Sequence, residues 1–169
     1  MLASSRIDGE GIMKEMTVRA IGRIRADDAS GYYALELDAA YREGLLALSE
    51  FGRINALWWA HGMDTPEFRG TLSCELPYAP GKRAGVFACR SEYRPNPIAL
   101  TSCGIVSVEE KAGLVVVDYI DAIEGTPLLD IKPYIPVCDR AREFRVAPWF
   151  REWPDCIEDS AAFFAEFQF

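Results

Sequence analysis

The chain has 169 residues, half of them hydrophobic, and a formal net charge of −8. That length suits one domain with a proper core. The acidic balance argues against broad, non-specific binding of RNA or DNA, which favours basic surfaces. No stretch approaches a membrane span. Residues 1–16 are polar overall, lack the apolar core of a secretory signal, and read as a flexible N-terminal arm with Met13 and Met16 as alternative starts. The five cysteines (Cys74, Cys89, Cys103, Cys138, Cys156) are odd in number and form no CxxC pair, and there is one histidine. These counts argue against a structural metal site or a disulfide framework and for a reducing cytoplasm.

Residues 17–25 alternate apolar and charged side chains, with Val18, Ala20 and Ile24 on one face, which predicts a half-buried strand. Residues 27–31 form a turn cluster. Residues 32–37 alternate again, with Tyr33, Leu35 and Leu37 on one face. Asp38 is a candidate N-cap for a helix over 39–50, where Tyr41, Leu45 and Leu48 recur at helical spacing before Gly52. Residues 54–60 read as an apolar strand. Trp58 and Trp59 fall on its opposite faces, so one belongs in the core. Residues 61–66 break it, and 68–76 read as a weaker strand.

The segment 85–101, GVFACRSEYRPNPIALT, is the most distinctive. Apolar, strand-like pieces at 86–89 and 98–101 flank a connection longer than the about two to five residues of a plain hairpin. Pro95 and Pro97 push Arg94 and Asn96 towards extended geometry. A rigid loop bearing Arg90 and Arg94 is a candidate anion site; the alternative is a structural corner with solvated arginines. Residues 98–108 read as a long strand bent at Gly104. A turn at 109–113, a strong strand at 114–120, a functional-looking loop at 121–127 and a short strand at 128–131 follow. An Arg-rich connector leads to Trp149, Phe150 and Trp153. The final helix begins at Asp159 or Ser160, and its Phe163, Phe164 and Phe167 are expected to pack on the core. Many short strands and few helices predict a mainly β (α+β) fold: a single closed β-barrel with one internal helix and a C-terminal helix. No GxGxxG supports a Rossmann site.

Segments 85–101, 121–136 (DAIEGTPLLDIKPYIP) and 40–62 (AYREGLLALSEFGRINALWWAHG), with RAIGRI at 19–24, together resemble the TsaA-like (TrmO-type) family. The resemblance implies a closed barrel over 17–138, between the arm at 1–16 and a Trp-rich tail and helix at 139–169 packed on the barrel. It implies a cytoplasmic S-adenosylmethionine-dependent methyltransferase, homodimeric, with the cofactor site near the interface and no metal. Well-known members methylate the exocyclic amine of threonylcarbamoyl-adenosine in tRNA. The acceptor expected here is a modified nucleoside of that type or another small polar molecule, with tRNA as a candidate partner. The alternative is a non-catalytic barrel that binds the cofactor or a related nucleotide as a sensor. The implied cofactor-binding residues are His61, Gly62, Arg90, Asp121, Ile123, Glu124, Gly125 and Thr126. The chain departs from the family at Phe51-Gly52-Arg53, where Phe-Ser-His is usual, and at Glu124, where Asp is usual. It also shortens the first loop and resembles a short paralogue without the extra C-terminal domain.

Methyl transfer from a sulfonium needs alignment more than covalent help. Arg90 can clamp the donor's carboxylate bidentately. Backbone groups of Gly125 and Thr126 can approach the ligand, and Glu124 or Asp121 can accept from ribose hydroxyls or the ammonium. Asp121 and Glu124 are also the candidate proton acceptors. His61 either touches ligand or caps the strand end. Arg94 and Asn96 either meet substrate or brace the turn. Asp130 and Lys132 form either part of a substrate loop or a paired corner, and Tyr134 either faces substrate or packs.

Overall fold

The computed structural model describes residues 16–27 and 30–165. Nearly all of the expected arm, with Met13, part of the 27–31 turn, and Phe167 lie outside the described residues. The chain divides into two compact units. The first holds the described residues up to Gly62 together with Pro97–Tyr134; the second holds Met63–Asn96 and the described residues from Ile135 onward.

The first unit is the expected closed barrel. Its strands are β1 (Gly22–Asp27), β2 (Tyr32–Leu37), β3 (Arg53–Trp59), β6 (Ile98–Glu109), β7 (Leu114–Val117) and β8 (Pro127–Pro133), in the order β1-β2-β7-β6-β3-β8. β4 (Ser73–Glu75) and β5 (Arg83–Gly85) belong to the second unit. All barrel pairs are antiparallel. Alternation puts every second side chain inward. Ile24 on β1 faces Leu35 on β2, which faces Val115 on β7, and all three have 0% exposure. Trp58 is the core tryptophan, opposite Leu128, and its Nε1 donates to Thr101 Oγ1 at 3.0 Å. Cys103 is buried opposite Ile54. Burial, and then the charge of Asp118, pushes its thiol up to about 12. Alkylation of the folded protein at pH 7.5, a chosen neutral condition, is expected to label the exposed Cys138 and Cys156 and leave Cys103 unmodified. Mass mapping of the labelled peptides checks this.

The bend expected at Gly104 is present. Its N–H donates to Asp118 Oδ1 at 2.7 Å, and the β6–β7 register shifts just beyond it. On the outer face, Arg23 and Arg25 pair with Glu36 at 2.8 and 2.9 Å. The Arg23 hydrogen bond leads in holding the Glu36 carboxyl below its ordinary range, Arg25 adding to it against partial burial. A depressed folded value adds stability above the unfolded value, and that stability disappears as pH falls through the folded one. Glu36→Gln is therefore expected to lower the melting temperature slightly at pH 7 and to match the parent below about pH 3.

Several sequence expectations need correction. Strand β1 begins at Gly22, and residues 17–20 are exposed. The helix expected over 39–50 is two 3-10 turns, Ala39–Leu45 and Leu48–Glu50. Leu46 leaves the helical region, with ψ 124°, and Ala47 has φ +63°, which interrupts any continuous helix there. Asp38 occupies the cap position without a side-chain cap bond. Leu45 and Leu48 are nevertheless buried, so the apolar spacing served 3-10 turns as well as it would an α-helix. Strand β7 is shorter than 114–120, and β8 runs past 131 to Pro133.

In the second unit, residues 66–70 are helix α1 (Pro66–Gly70), where a strand was expected from 68. Thr65 caps it, with Oγ1 accepting from the Phe68 N–H, and Pro66 sits in its first turn. A two-stranded sheet follows, β4 (Ser73–Glu75) with β5 (Arg83–Gly85). Residues 86–88 are a 3-10 turn and not a strand; β6 finds its partners in β3 and β7 instead. Beyond helix α2 (Pro136–Asp139), the tail joins this unit through aromatic contacts. Tyr78 lies 5.2 Å from Phe150 and 5.4 Å from Trp153, and Trp153 in turn meets Phe163 and Phe164 of helix α3 (Ser160–Ala165). No helix among the described residues is long and apolar enough to cross a membrane.

Candidate functional site

In the barrel, the loop before β8 is stitched to β1. The Gly125 N–H donates to Ile24 O at 2.9 Å, and the Ile24 N–H to Thr126 O at 2.8 Å. Gly125 has φ +79°, a conformation that favours glycine. The Thr126 N–H donates to Ile123 O at 3.2 Å. Both N–H groups are thus paired within the fold, and the positive φ of Gly125 shapes the turn that holds them.

Glu124 is similarly engaged. One carboxylate oxygen accepts from the Ala26 N–H at 2.8 Å, and the other lies 3.5 Å from Arg25 Nε. That pins the loop across the end of β1. Thr126 is buried, and its Oγ1 lies 3.5 Å from His61 Nδ1, the long limit of a hydrogen bond. His61 and Gly62 start the 3-10 turn His61–Met63 just past β3. Two segments far apart in sequence, singled out together, thus meet at one end of the barrel. His61, Gly62, Asp121 and Ile123 are exposed there. Asp121 also acts on Tyr119, whose hydroxyl is pushed up first by burial and then by that carboxylate.

Asp130 and Lys132 pair at 2.7 Å, and Asp130 accepts its neighbour's N–H, which is the paired-corner arrangement. Tyr134 is half-buried, and its N–H donates to Arg53 O at 2.9 Å.

In the second unit, Arg94 takes the bracing role. Its Nη2 donates to Val86 O at 2.9 Å and its Nη1 to Ser91 O at 3.3 Å. Tyr93 stacks on Phe68 at 4.9 Å, and Arg69 donates to Pro95 O at 3.3 Å. Asn96 and Arg90 are exposed. Arg90 follows the 3-10 turn and, with Ser91, Cys74, Cys89, Tyr78 and Trp153, lines a largely apolar cavity of about 730 Å³. Sequence reasoning found Arg90 but not this cavity. Its other walls come from residues 74–78, where a weak strand was expected to end at 76, and from the aromatic tail, read as packing.

Residues 24–140 match the family described as tRNA-methyltransferase O N-terminal domain. A Pyrococcus abyssi protein named "Probable S-adenosyl-L-methionine-binding protein" is 36% identical over 121 residues, covering 72% of this chain and 61% of that protein. The human "tRNA (adenine(37)-N6)-methyltransferase" is 39% identical over 99 residues, covering 56% of this chain and 21% of that protein. A crystal structure of TrmO from P. aeruginosa aligns with TM-score 0.62 and 26% identity, covering 81% of this chain and 62% of that one. The chain thus spans about three fifths of the Pyrococcus relative and about a fifth of the human one. Both loops described above, 85–101 and 121–136, lie inside the matched residues. With its closed antiparallel barrel and a match over most of its length, the chain belongs to the tRNA-methyltransferase O N-terminal domain family.

Proposed function

We propose that the protein is an S-adenosylmethionine-dependent methyltransferase whose acceptor is a modified nucleoside of the tRNA threonylcarbamoyl-adenosine type or another small polar molecule. The observation that carries this reading is the family match over 24–140, which includes both loops. The residues present suit such a donor. Arg90 offers an exposed guanidinium at a cavity of about 730 Å³, within the range of about 300–1,000 Å³ of ligand pockets. When bound, the donor supplies a methyl group on a sulfonium.

Arg90 is assigned to pair with the donor's carboxylate. His61, Gly62, Asp121, Ile123, Glu124, Gly125 and Thr126 are the other proposed cofactor contacts. The Thr126 hydroxyl lies at the Nδ1 edge of the His61 ring, 3.5 Å away. With Glu124 committed to Ala26 and Arg25, Asp121 is the better candidate to accept a proton from an acceptor amine. Cytoplasmic location and a homodimer with the cofactor site near its interface are part of the same proposal.

A second reading, a non-catalytic binding module, draws on two observations. The Pyrococcus relative is named for binding alone, and one of the two candidate bases is engaged in the fold. Incubation with methyl-labelled donor and fractionated cell extract separates the readings. Label in small molecules or in tRNA supports the enzyme and says which acceptor it takes. Donor binding with no label transferred to any fraction supports the binding module and overturns the enzyme.

A further inference from the structure

The Cys74 and Cys89 sulfurs lie 3.8 Å apart. Cys74 sits on β4 and Cys89 just after the turn Val86–Ala88. Both are half-buried free thiols on the wall of the cavity that Arg90 lines. A disulfide needs sulfurs about 2.05 Å apart, so closure requires less than about 2 Å of approach. The surroundings also fit a chemically used pair. The Tyr78 hydroxyl is buried without a hydrogen-bond partner among the described residues. Burial, and then the charge Cys89 and Cys74 carry as thiolates, pushes this hydroxyl up, and all three residues line the same cavity.

We propose that Cys74 and Cys89 form a reversible disulfide by exchange with a small-molecule disulfide, and that this cross-link weakens donor binding at Arg90. One cysteine thiolate attacks the small disulfide, forming a mixed disulfide and expelling one small thiolate. The second cysteine, as thiolate, then attacks the protein-side sulfur, closing the Cys74–Cys89 bond and expelling the second small thiolate. The protein loses two electrons and two protons, and the small disulfide becomes two thiols. Burial, and then Cys89, pushes the Cys74 thiol up, so exchange is expected to be slow at neutral pH and faster as pH rises. Closure pulls on Cys89, whose next residue is Arg90, and misplacement of about 1 Å can remove much of a contact's benefit. The coupling rests on the proposed role of Arg90.

The full chain is equilibrated at about pH 8, where free thiols begin to ionise, with oxidised glutathione or with dithiothreitol, then alkylated and digested with trypsin. Cleavage at Lys82 and Arg83 separates the two cysteines, so a cross-link appears as joined peptides. The expected result is a Cys74–Cys89 peptide pair in the oxidised sample. Donor affinity by calorimetry is then expected to be about tenfold weaker than in the reduced protein. Either Cys74→Ala or Cys89→Ser should abolish the pair and the difference. Joined peptides through other cysteines, glutathione adducts alone, or no pair overturn the cross-link. Equal affinity in both forms overturns the coupling. Failure of even the reduced protein to bind donor overturns the coupling and the methyltransferase reading together, while the peptide result still decides the cross-link.

Discussion

Leu35→Ala is expected to lower stability by about 3 kcal/mol, within the about 2–5 kcal/mol found for such truncations. Leu35 is fully buried, facing Ile24 on one neighbouring strand and Val115 on the other. Both neighbours are held by ladder hydrogen bonds, so the barrel cannot easily collapse into the space left behind. The loss therefore combines transfer free energy with a residual cavity. Leu46→Ala is the control. Leu46 is 75% exposed in the break between two 3-10 turns, and its truncation should change stability by less than about 0.5 kcal/mol. Urea unfolding of the three proteins measures both. Equal losses at the two positions would mean that Leu35 does not occupy the barrel interior.

Arg90→Ala is expected to weaken donor binding more than tenfold. A charge-assisted hydrogen bond is worth about 1.5–3 kcal/mol, and a guanidinium–carboxylate pair can make two. Because Arg90 is exposed, its removal should leave the fold nearly as stable as before. Arg94→Ala should do the reverse. It removes donors to Val86 O and Ser91 O, so the turn loosens and stability drops by about 1 kcal/mol. Arg90→Lys, which keeps the charge but loses the planar fork, should fall between parent and alanine in affinity. Calorimetry and thermal unfolding on the same preparations distinguish these outcomes. Unchanged affinity in Arg90→Ala refutes its assigned contact.

The barrel was legible because its strands alternate over buried interiors. Residues 32–37 and 54–60 announce their inward faces, and Gly104 marks the bend where it occurs. Segment 39–50 was less legible because Leu45 and Leu48 satisfy a helical spacing that 3-10 turns can also bury. Nothing local to Ala47 signals its positive φ. Helix α1 was a missed signal of a different kind: Thr65 followed by Pro66 is a recognisable start, overridden by apolar residues beyond it. The run 86–89 has strand-like residues but lacks a strand partner, and pairing is a tertiary matter.

The candidate site divides along the same line. His61 and Thr126, both implied by the family resemblance, meet although 65 positions separate them. The resemblance pointed to Arg90 for the ligand and left Arg94 either to meet substrate or to brace the turn; the carbonyl contacts of Arg94 are those of a brace. The engagement of Glu124 by the Ala26 N–H spans 98 positions of sequence, which no local pattern reports. The cavity beside Arg90 was equally hidden, since its walls come from residues 74–93 and from Phe150 and Trp153 of the tail.

Calorimetric titration of the reduced, unmodified protein with S-adenosylmethionine, its demethylated product and ATP tests the methyl-donor assignment most directly. Saturable binding of the donor and of its product, with both tighter than ATP and both weakened together in Arg90→Ala, is the expected result. No detectable donor binding, or tighter binding of ATP, would contradict it.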